Sequence, residues 1–315
     1  MPATTIKLNN GQQIPALGLG CWMSKPVEGD NPETYEMVVQ ALKTGYRHLD
    51  TAAGYGNEKA VGRAVRDSDI PRSGIFVTTK LGFDGHDDVE GHFKKSFDAL
   101  DIEYIDLFLM HWPQAKKGDD WVPKDQSPTF VETWKEMEKL VKGGKCRSIG
   151  VSNFSVENLE FLLKSADIVP AVNQVEANIY HPQASLHKYC AEKNIHLTAY
   201  CPIGQPKPEV GSKVLKDEVL IGLGEKYGKP AAAVALSWLV QRGNWSAVPK
   251  SANPTRMAQN LEIFELEKAD FEALSKVHEQ PGKLMISCDY GSGDIMEKGE
   301  IFGWSLKDMG WEKLD

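Results

Sequence analysis

The chain reads Leu107-Phe108-Leu109-Met110-His111, an apolar run of strand length that ends in an ionisable side chain. An ionisable group directly after a buried strand is costly unless it is paired or hydrated, so this pattern indicates the rim of a site. The run is part of a longer apolar segment, Tyr104–Met110. Seven further runs of this kind occur along the chain: Ala16–Gly20, Tyr46–Asp50, Ile75–Thr79, Cys146–Val151, Ala171–Gln174, Ile195–Tyr200 and Ser246–Val248.

The segments between these runs have helical spacing and helix caps. Asn31-Pro32 and Asn253-Pro254 each place a capping residue before a proline, which is typical of the first turn of a helix. Ser155 begins another segment of this type, and Gly143 ends one. Eight strand–helix units of roughly 30 residues predict an α/β fold, a (β/α)8 TIM barrel. A doubly wound sheet with a second domain is the alternative.

We predict a single barrel domain over residues 1–315 with an addition at each end. Residues 1–16 carry a β-hairpin signal, because Asn9-Asn10-Gly11 separates two strand-like runs. Two segments, 114–126 and the tail 280–315, exceed ordinary loop lengths, which is typical of functional segments. We expect the tail to fold over the barrel mouth.

Charge and hydropathy exclude several classes of function. The 315 residues include 36 Lys and Arg against 44 Asp and Glu, a net charge of −8 that disfavours nucleic acid and anionic membranes as partners. No apolar stretch reaches the ~18 residues of a membrane span. The N-terminal segment lacks the apolar core of a signal peptide. These features predict a cytoplasmic protein that binds neither nucleic acid nor membrane.

The cysteines predict an intracellular protein without disulfides. There are 5 of them, they are widely scattered, and no CxxC motif occurs: Cys21, Cys146, Cys190, Cys201 and Cys288. We therefore expect reduced thiols. Cys21 and Cys201 lie near strand ends, where a thiol can be exposed. The histidines show no metal-ligand spacing, so no metal site is predicted.

Polar side chains follow the apolar runs at the positions where a barrel enzyme carries its active site, the carboxyl ends of strands. Asp50 ends one run, Lys80 directly follows another, and Tyr55 lies in the loop after Asp50. A nearby ammonium would lower the pKa of a tyrosine from its usual ~10. His111 is placed to orient a substrate oxygen. The set suits protonation of a carbonyl oxygen.

Six motifs occur along the chain, and the first three contain Asp50, Tyr55 and His111: Gly45–Ala52 (GYRHLDTA), Tyr55–Glu58 (YGNE), Leu107–Pro113 (LFLMHWP), Ser148–Phe154 (SIGVSNF), Asn173–Glu176 (NQVE) and Val248–Ser251 (VPKS). With them the chain resembles the aldo-keto reductases, from the hairpin to Asn260. The resemblance implies a catalytic tetrad of Asp50, Tyr55, Lys80 and His111. Tyr55 would be the general acid, tuned by Lys80 and Asp50, and NADP(H) would lie across the barrel mouth.

The resemblance also implies which residues bind the cofactor. Tyr200 would stack on the nicotinamide ring, and Lys250 and Arg256 would meet the 2′-phosphate. The full cofactor set is Ser152, Asn153, Gln174, Tyr200, Pro202, Ile203, Lys250, Ser251, Asn253, Arg256, Gln259 and Asn260. Aromatic residues in the mouth loops favour a hydrophobic substrate funnel. The expected substrate-binding residues are Trp22, Phe83, His111, Trp112, Trp121, Phe302 and Trp304.

The function expected from these features is NADPH-dependent reduction of small polar aldehydes, aldoses and aromatic aldehydes, with ketones as a further class. Gly82 stands where several relatives carry a bulky aromatic residue, which implies a wider pocket. One alternative is a non-catalytic, cofactor-binding regulatory subunit on the same fold. Another is a barrel enzyme that uses Lys80 as a Schiff-base nucleophile. The expected partner is a small carbonyl substrate, and the expected state is a monomer, with a dimer left open.

Overall fold

The computed structural model of the protein describes residues 4–206, 209–288, 290 and 295–314. Its strands are β1 (Thr5–Lys7), β2 (Gln13–Pro15), β3 (Leu19–Gly20), β4 (His48–Asp50), β5 (Phe76–Leu81), β6 (Leu107–Met110), β7 (Lys116–Lys117), β8 (Asp120–Trp121), β9 (Ile149–Ser152), β10 (Val172–Glu176), β11 (His196–Tyr200), β12 (Trp245–Ala247), β13 (Glu300–Ile301) and β14 (Trp304–Ser305). Its helices are α1 (Pro32–Thr44), α2 (Glu58–Arg66), α3 (Val89–Leu100), α4 (Phe130–Lys142), α5 (Val156–Leu163), α6 (Ala184–Glu192), α7 (Glu218–Tyr227), α8 (Ala231–Gln241), α9 (Pro254–Asn260), α10 (Lys268–Ser275), α11 (Ile295–Lys298) and α12 (Leu306–Met309).

Eight strands form one sheet in the order β12-β11-β10-β9-β6-β5-β4-β3, and their pairings are parallel. A bridge between Leu17 and Ala247 joins the two ends of the sheet. There the Ala247 amide donates to the Ala16 carbonyl at 2.9 Å, and the Gly18 amide donates to the Ala247 carbonyl at 2.8 Å. The predicted (β/α)8 barrel is therefore confirmed, and each predicted apolar run overlaps one barrel strand. The doubly wound alternative is wrong.

The predicted helix starts are also confirmed. The Asn31 side chain accepts a hydrogen bond from the Thr34 amide at 2.9 Å and caps α1. Asn253 caps α9 in the same way, accepting from the Arg256 amide at 3.0 Å. Among the helices of the described ranges, none combines the length and apolarity needed to cross a membrane.

The hairpin of β1 and β2 closes the amino-terminal end of the barrel. Its residues Leu8 and Ile14 are buried in a cluster with Phe76 and Leu107, which lie at the first positions of β5 and β6. Because the hairpin covers this end of the barrel, a ligand can reach the barrel only at the carboxyl ends of the strands. Residues 1–3 of the predicted hairpin segment lie outside the described residues.

The two long segments pack against each other at the carboxyl end of the barrel. The loop after β6 contains the short antiparallel pair β7–β8, and the tail contains the pair β13–β14. The Gln114 side-chain amide donates to the Ile301 carbonyl at 3.1 Å, and Ile301 and Met309 are fully buried. The tail thus folds over the mouth as predicted. Its residues 289, 291–294 and 315 lie outside the described part of the chain.

The expectation of five reduced thiols is wrong for two cysteines. Cys201, directly after β11, forms a disulfide with Cys288 in the tail, across 87 residues of sequence. The other three are buried free thiols, Cys21 among them, although it lies near a strand end. Burial raises the pKa of Cys21, Cys146 and Cys190 to about 12. Sequence spacing could not show the pairing, because it depends on the path of the tail.

The close approach of α2 to α3 gives a stability prediction. A Cβ atom on Gly62 in α2 would lie 1.8 Å from the Leu100 carbonyl oxygen, whereas a Cβ on Gly222 in α7 would meet nothing within 4 Å. Gly62→Ala should lower the free energy of unfolding by about 1–3 kcal/mol, because the helices must separate. Gly222→Ala, the matched control, should raise it by about 0.5–1 kcal/mol. Urea denaturation measures both; a neutral Gly62→Ala variant would contradict the close contact.

Candidate active site

The buried charge at the barrel mouth is an ion pair between adjacent strands. The Lys80 ammonium donates to Asp50 Oδ1 at 2.6 Å and to the Thr51 carbonyl at 2.8 Å, and Lys80 has no exposed surface. The parallel register of β4 and β5 sets Asp50 beside Thr78, two residues before Lys80. Burial alone would lower the pKa of Lys80, but Asp50 and then Tyr55 raise it above its usual value. The amine therefore keeps its proton.

A tight turn carries Tyr55 to this pair. Residues Ala53–Tyr55 form one turn of 3-10 helix, and Gly56 ends it in the left-handed region with φ of 71°. A Cβ atom on Gly56 would lie 1.8 Å from the Val27 carbonyl oxygen. Both the backbone conformation and the lack of space require glycine here. This glycine fixes the direction of the tyrosine before it.

The phenol of Tyr55 lies between a charged and an aromatic neighbour. Its ring centroid is 5.1 Å from Lys80 Nζ, 5.7 Å from the centre of the His111 ring and 4.9 Å from that of Trp22. Burial raises the pKa of Tyr55, Lys80 opposes this by its charge and a hydrogen bond, and Asp50 adds to the rise. The net pKa is above the usual 10.0, so the expectation of a lowered value is wrong. The sequence revealed the ammonium but not the extent of burial, and burial outweighs it.

His111 is held as a neutral imidazole. Burial, and then the positive charge of Lys80, keeps the pKa of His111 well below its usual 6.5. Its backbone is fixed on both sides: the amide donates to the Leu81 carbonyl at 3.4 Å, and the carbonyl accepts from the Asn153 side chain at 3.0 Å. A neutral imidazole beside a neutral phenol can donate or accept one hydrogen bond at each ring nitrogen.

Four of the residues expected to hold the nicotinamide converge beside the tetrad. The Ser152 hydroxyl donates to the Gln174 carbonyl at 2.7 Å, and the Tyr200 hydroxyl donates to Asn153 Oδ1 at 2.6 Å. The Gln174 side chain donates to Asp50 Oδ2 at 2.6 Å, a contact that sequence reasoning missed. Gln174 therefore helps to satisfy the buried carboxylate.

The residues expected at the 2′-phosphate form a separate group after β12. Lys250 and Arg256 are exposed, and neither forms an ion pair with another described residue. Ser251 is buried, and its hydroxyl accepts from the Asn253 amide at 3.2 Å. Further along α9, two more expected residues follow, half-buried Gln259 and buried Asn260. Two uncommitted cations on one rim suit a phosphate.

Pro202 and Ile203 begin the loop after the neighbouring strand β11, close behind Tyr200. Pro202 is buried and Ile203 is half-buried. The Ser212 hydroxyl donates to the Ile203 carbonyl at 2.6 Å and so folds the loop back on itself. The predicted cofactor residues thus lie in or after four consecutive strands of the sheet, β9, β10, β11 and β12.

Aromatic side chains from three loops form a wall around the mouth. The Phe302 ring lies 4.9 Å from that of Phe83, 5.0 Å from Trp112 and 5.2 Å from Trp121, measured between ring centres. Trp22 contacts Tyr55, with ring centres 4.9 Å apart, and 36% of its surface is exposed. Besides His111, itself a member of the tetrad, five of the expected substrate residues therefore lie in these two groups of aromatic side chains.

Trp304 takes a different position. It is buried, its indole N–H donates to the Val122 carbonyl at 2.8 Å, and its ring packs 6.3 Å from Phe130. Trp304 pairs with Ile301 across the β13–β14 ladder, so both side chains lie on the buried face of this hairpin. Phe302 occupies the turn between them and reaches the mouth. Trp304 therefore supports the wall rather than forming it.

Sequence reasoning missed two residues that join the tail to the mouth. The buried carboxylate of Glu176 accepts from the Ser287 amide and hydroxyl, both at 2.6 Å, and from the Cys288 amide at 3.2 Å. It also accepts from the Tyr290 hydroxyl at 3.0 Å. The position of Glu176 at a strand end was a usable signal, whereas Tyr290 follows no pattern. A cavity of about 390 Å³ lies behind this junction, but no member of the tetrad lines it.

Comparison with known proteins agrees with this geometry. The sequence model of the Aldo/keto reductase family matches residues 16–279. Two similar proteins of Saccharomyces cerevisiae are aldehyde reductase YPR1, 39% identical over 94% of this chain and 100% of its own length, and glycerol 2-dehydrogenase (NADP(+)), 42% identical over 91% and 96%. A Bombyx mori aldo-keto reductase solved in complex with NADP superimposes with a TM-score of 0.82 at 34% identity, over 92% of this chain and 96% of that one. The match covers most of the chain and includes the tetrad, and the protein belongs to the aldo/keto reductase family.

Proposed function

We propose that this protein is an NADPH-dependent reductase that converts aldehydes, and ketones as a further class, to alcohols. The observation that carries the proposal is the neutral phenol of Tyr55 between the buried Lys80 ammonium and the neutral His111 ring. The names of the yeast relatives, aldehyde reductase and glycerol 2-dehydrogenase (NADP(+)), support the same reaction.

The donor groups at the ends of β9, β10 and β12 fit a nicotinamide dinucleotide phosphate. Side-chain amides and hydroxyls of Ser152, Asn153 and Gln174 lie beside the tetrad, where they suit a carboxamide. Lys250 and Arg256 are exposed on the rim after β12, where they suit a phosphate monoester. When bound, NADPH supplies the hydride that the carbonyl carbon accepts.

The tetrad supplies the proton. A carbonyl oxygen placed between Tyr55 and His111 receives the phenolic proton as negative charge develops on it. The Lys80 ammonium stabilises the phenolate that remains, and the Asp50 carboxylate keeps that ammonium charged. His111 is neutral, so its ring can donate an N–H to the same oxygen without carrying a competing charge.

The two alternative functions have less support. A Schiff-base mechanism needs a neutral lysine amine that a substrate carbon can reach. Lys80 is instead fully buried, with its pKa raised above the usual value beside Asp50. A non-catalytic regulatory subunit would not need a complete tetrad, and all four residues are present and in contact.

The aromatic wall of Phe83, Trp112, Trp121 and Phe302 supports aromatic aldehydes as one substrate class. Small polar aldehydes and aldoses are the other proposed class, supported by the polar floor of the site. We further propose that residues 1–315 act as one domain and as a monomer in the cytoplasm. The three buried free thiols are compatible with that compartment.

Replacing Tyr55 tests the reaction. Tyr55→Phe removes the proton donor but keeps the ring that packs on Trp22, so turnover should fall roughly 100-fold or more. NADPH binding, followed by quenching of Trp fluorescence, should stay within about twofold of the wild type. Steady-state oxidation of NADPH with a reactive aldehyde measures the loss. A variant that keeps substantial turnover would remove Tyr55 from the mechanism.

The preference for NADPH depends on the free cations. Lys250→Ala should weaken NADPH binding at least about tenfold, since a charge-assisted bond to phosphate contributes about 1.5–3 kcal/mol. NADH, which lacks the phosphate, should bind almost as before. Lys59→Ala is the matched control, because Lys59 is an exposed lysine on α2. Equal losses for both nucleotides in titrations of the Lys250 variant would contradict a 2′-phosphate site.

Phe302 should select aromatic substrates. Removing the whole tail would also remove the buried residues Ile301 and Met309, so a point variant is the cleaner test. Phe302→Ala should raise the KM of an aromatic aldehyde about tenfold, while a small aldehyde changes by less than about twofold. Phe161→Ala is the control, since Phe161 on α5 is 54% exposed. An unchanged order of preference would show that Phe302 is not a substrate wall.

A further inference from the structure

The disulfide joins the end of a barrel strand to the tail at the proposed cofactor site. Cys201 directly follows Tyr200, and its carbonyl accepts from the Asn178 side chain at 3.3 Å. The Cys288 amide donates to Glu176 at 3.2 Å. Glu176 and Tyr200 are themselves paired in register across β10 and β11. The sulfurs therefore link two backbones that the barrel already holds close together.

Residues 283–288 and 290, the tail clamp, hold both ends of the loop that runs from Cys201 to Asp217. At the far end, the Lys283 ammonium pairs with the Asp217 carboxylate, which caps α7 by accepting from the Val219 amide at 3.0 Å. At the near end, the disulfide forms the attachment. This loop carries Pro202 and Ile203, two of the proposed cofactor contacts. The clamp therefore attaches the chain before and after these two contacts.

The clamp also contacts the tyrosine proposed to stack on the nicotinamide. The hydroxyls of Tyr200 and Tyr290 lie 2.9 Å apart. Tyr200 also lies 2.6 Å from Asn153 Oδ1, and Tyr290 lies 3.0 Å from Glu176. Two hydroxyl protons serve these three contacts, so when Tyr290 donates to Glu176, Tyr200 donates either to Asn153 or to Tyr290. The position of Tyr290 therefore affects the nicotinamide end of the site.

We propose that Cys201 and Cys288 form a reversible redox site whose disulfide closes the tail clamp and slows exchange of NADPH. The inference rests on the proposed function, because it places the cofactor beside Tyr200. In the oxidising step the two thiols react with a low-molecular-weight disulfide. One protein S–S bond forms, the S–S bond of the reagent breaks, and two small thiols leave with the two electrons and two protons. A dithiol reverses the step.

The surroundings of the cysteines favour this pair over the other thiols. Cys201 and Cys288 are half-buried, so a small reagent can reach them. Cys21, Cys146 and Cys190 are buried free thiols, and burial raises their pKa to about 12. Because the thiolate is the reacting form, they exchange slowly. The clamp cysteines are the reactive pair among the described residues.

The test equilibrates the full-length protein in buffers with varied ratios of reduced to oxidised glutathione. Peptide mass mapping follows the Cys201–Cys288 cross-link, and stopped-flow fluorescence measures NADPH dissociation. The oxidised protein should release NADPH about fivefold more slowly than the reduced one. A change of this size corresponds to the typical contribution of one neutral hydrogen bond. Cys201→Ser and Cys288→Ser should each behave like the reduced wild type in every buffer. Agreement between the two variants excludes an effect of either side chain alone.

Two results would overturn the redox site. Absence of the cross-linked peptide under oxidising conditions is one, and equal dissociation rates in the oxidised and reduced wild type are the other. If the protein turned over with NADPH and its rates were the same in both redox states, the proposed function would stand and only this inference would fail. If neither form bound NADPH, the proposed function would fail. Hydrogen exchange of the clamp amides would then decide the inference, and equal exchange in both forms would reject it.

Discussion

The ion pair between Lys80 and Asp50 is the interaction on which the rest of the site depends. A buried charge is tolerated only when it is paired and its remaining hydrogen-bonding capacity is satisfied. The Thr51 carbonyl accepts a second hydrogen bond from the Lys80 ammonium, and the Gln174 side chain donates one to the Asp50 carboxylate. Neighbouring parallel strands must stay in register for these contacts to form. The same requirement places Tyr55 and His111 close enough to the Lys80 ammonium for its charge to lower the pKa of both.

The tail contributes two distinct parts to the mouth. Its hairpin places Phe302 in the aromatic wall, while Trp304 and Ile301 anchor that hairpin on its buried face. Its clamp reaches the opposite side through Glu176 and the disulfide. One segment therefore affects the substrate side of the site and the other affects the cofactor side. The hairpin is attached to the loop after β6, and the clamp is attached to the ends of β10 and β11.

The pKa of Tyr55 is shifted in the opposite direction from the one that its neighbouring residue types suggest. A lysine beside a tyrosine predicts a lowered pKa, yet burial raises it above 10.0. For a proton donor this direction is useful, because the phenol remains protonated over the neutral range. In the proposed mechanism, Lys80 acts chiefly after the proton leaves, when it stabilises the phenolate. The Lys80–Asp50 pair thus lowers the free energy of the phenolate that forms in the reaction, and it leaves the Tyr55 phenol protonated in the resting enzyme.

Local sequence was sufficient for the barrel and its helix caps, and it placed the residues of the proposed tetrad at or after strand ends. Alternation of apolar runs with capped helical segments depends on nearby residues, and a polar residue after a buried strand is visible without coordinates. Packing over long separations was needed for the rest. The pairing of Cys201 with Cys288, the bonds from Glu176 to the tail and the buried face of Trp304 join distant residues. Such contacts, and the burial that sets the pKa of Tyr55, arise from how the whole chain packs, which no local pattern encodes.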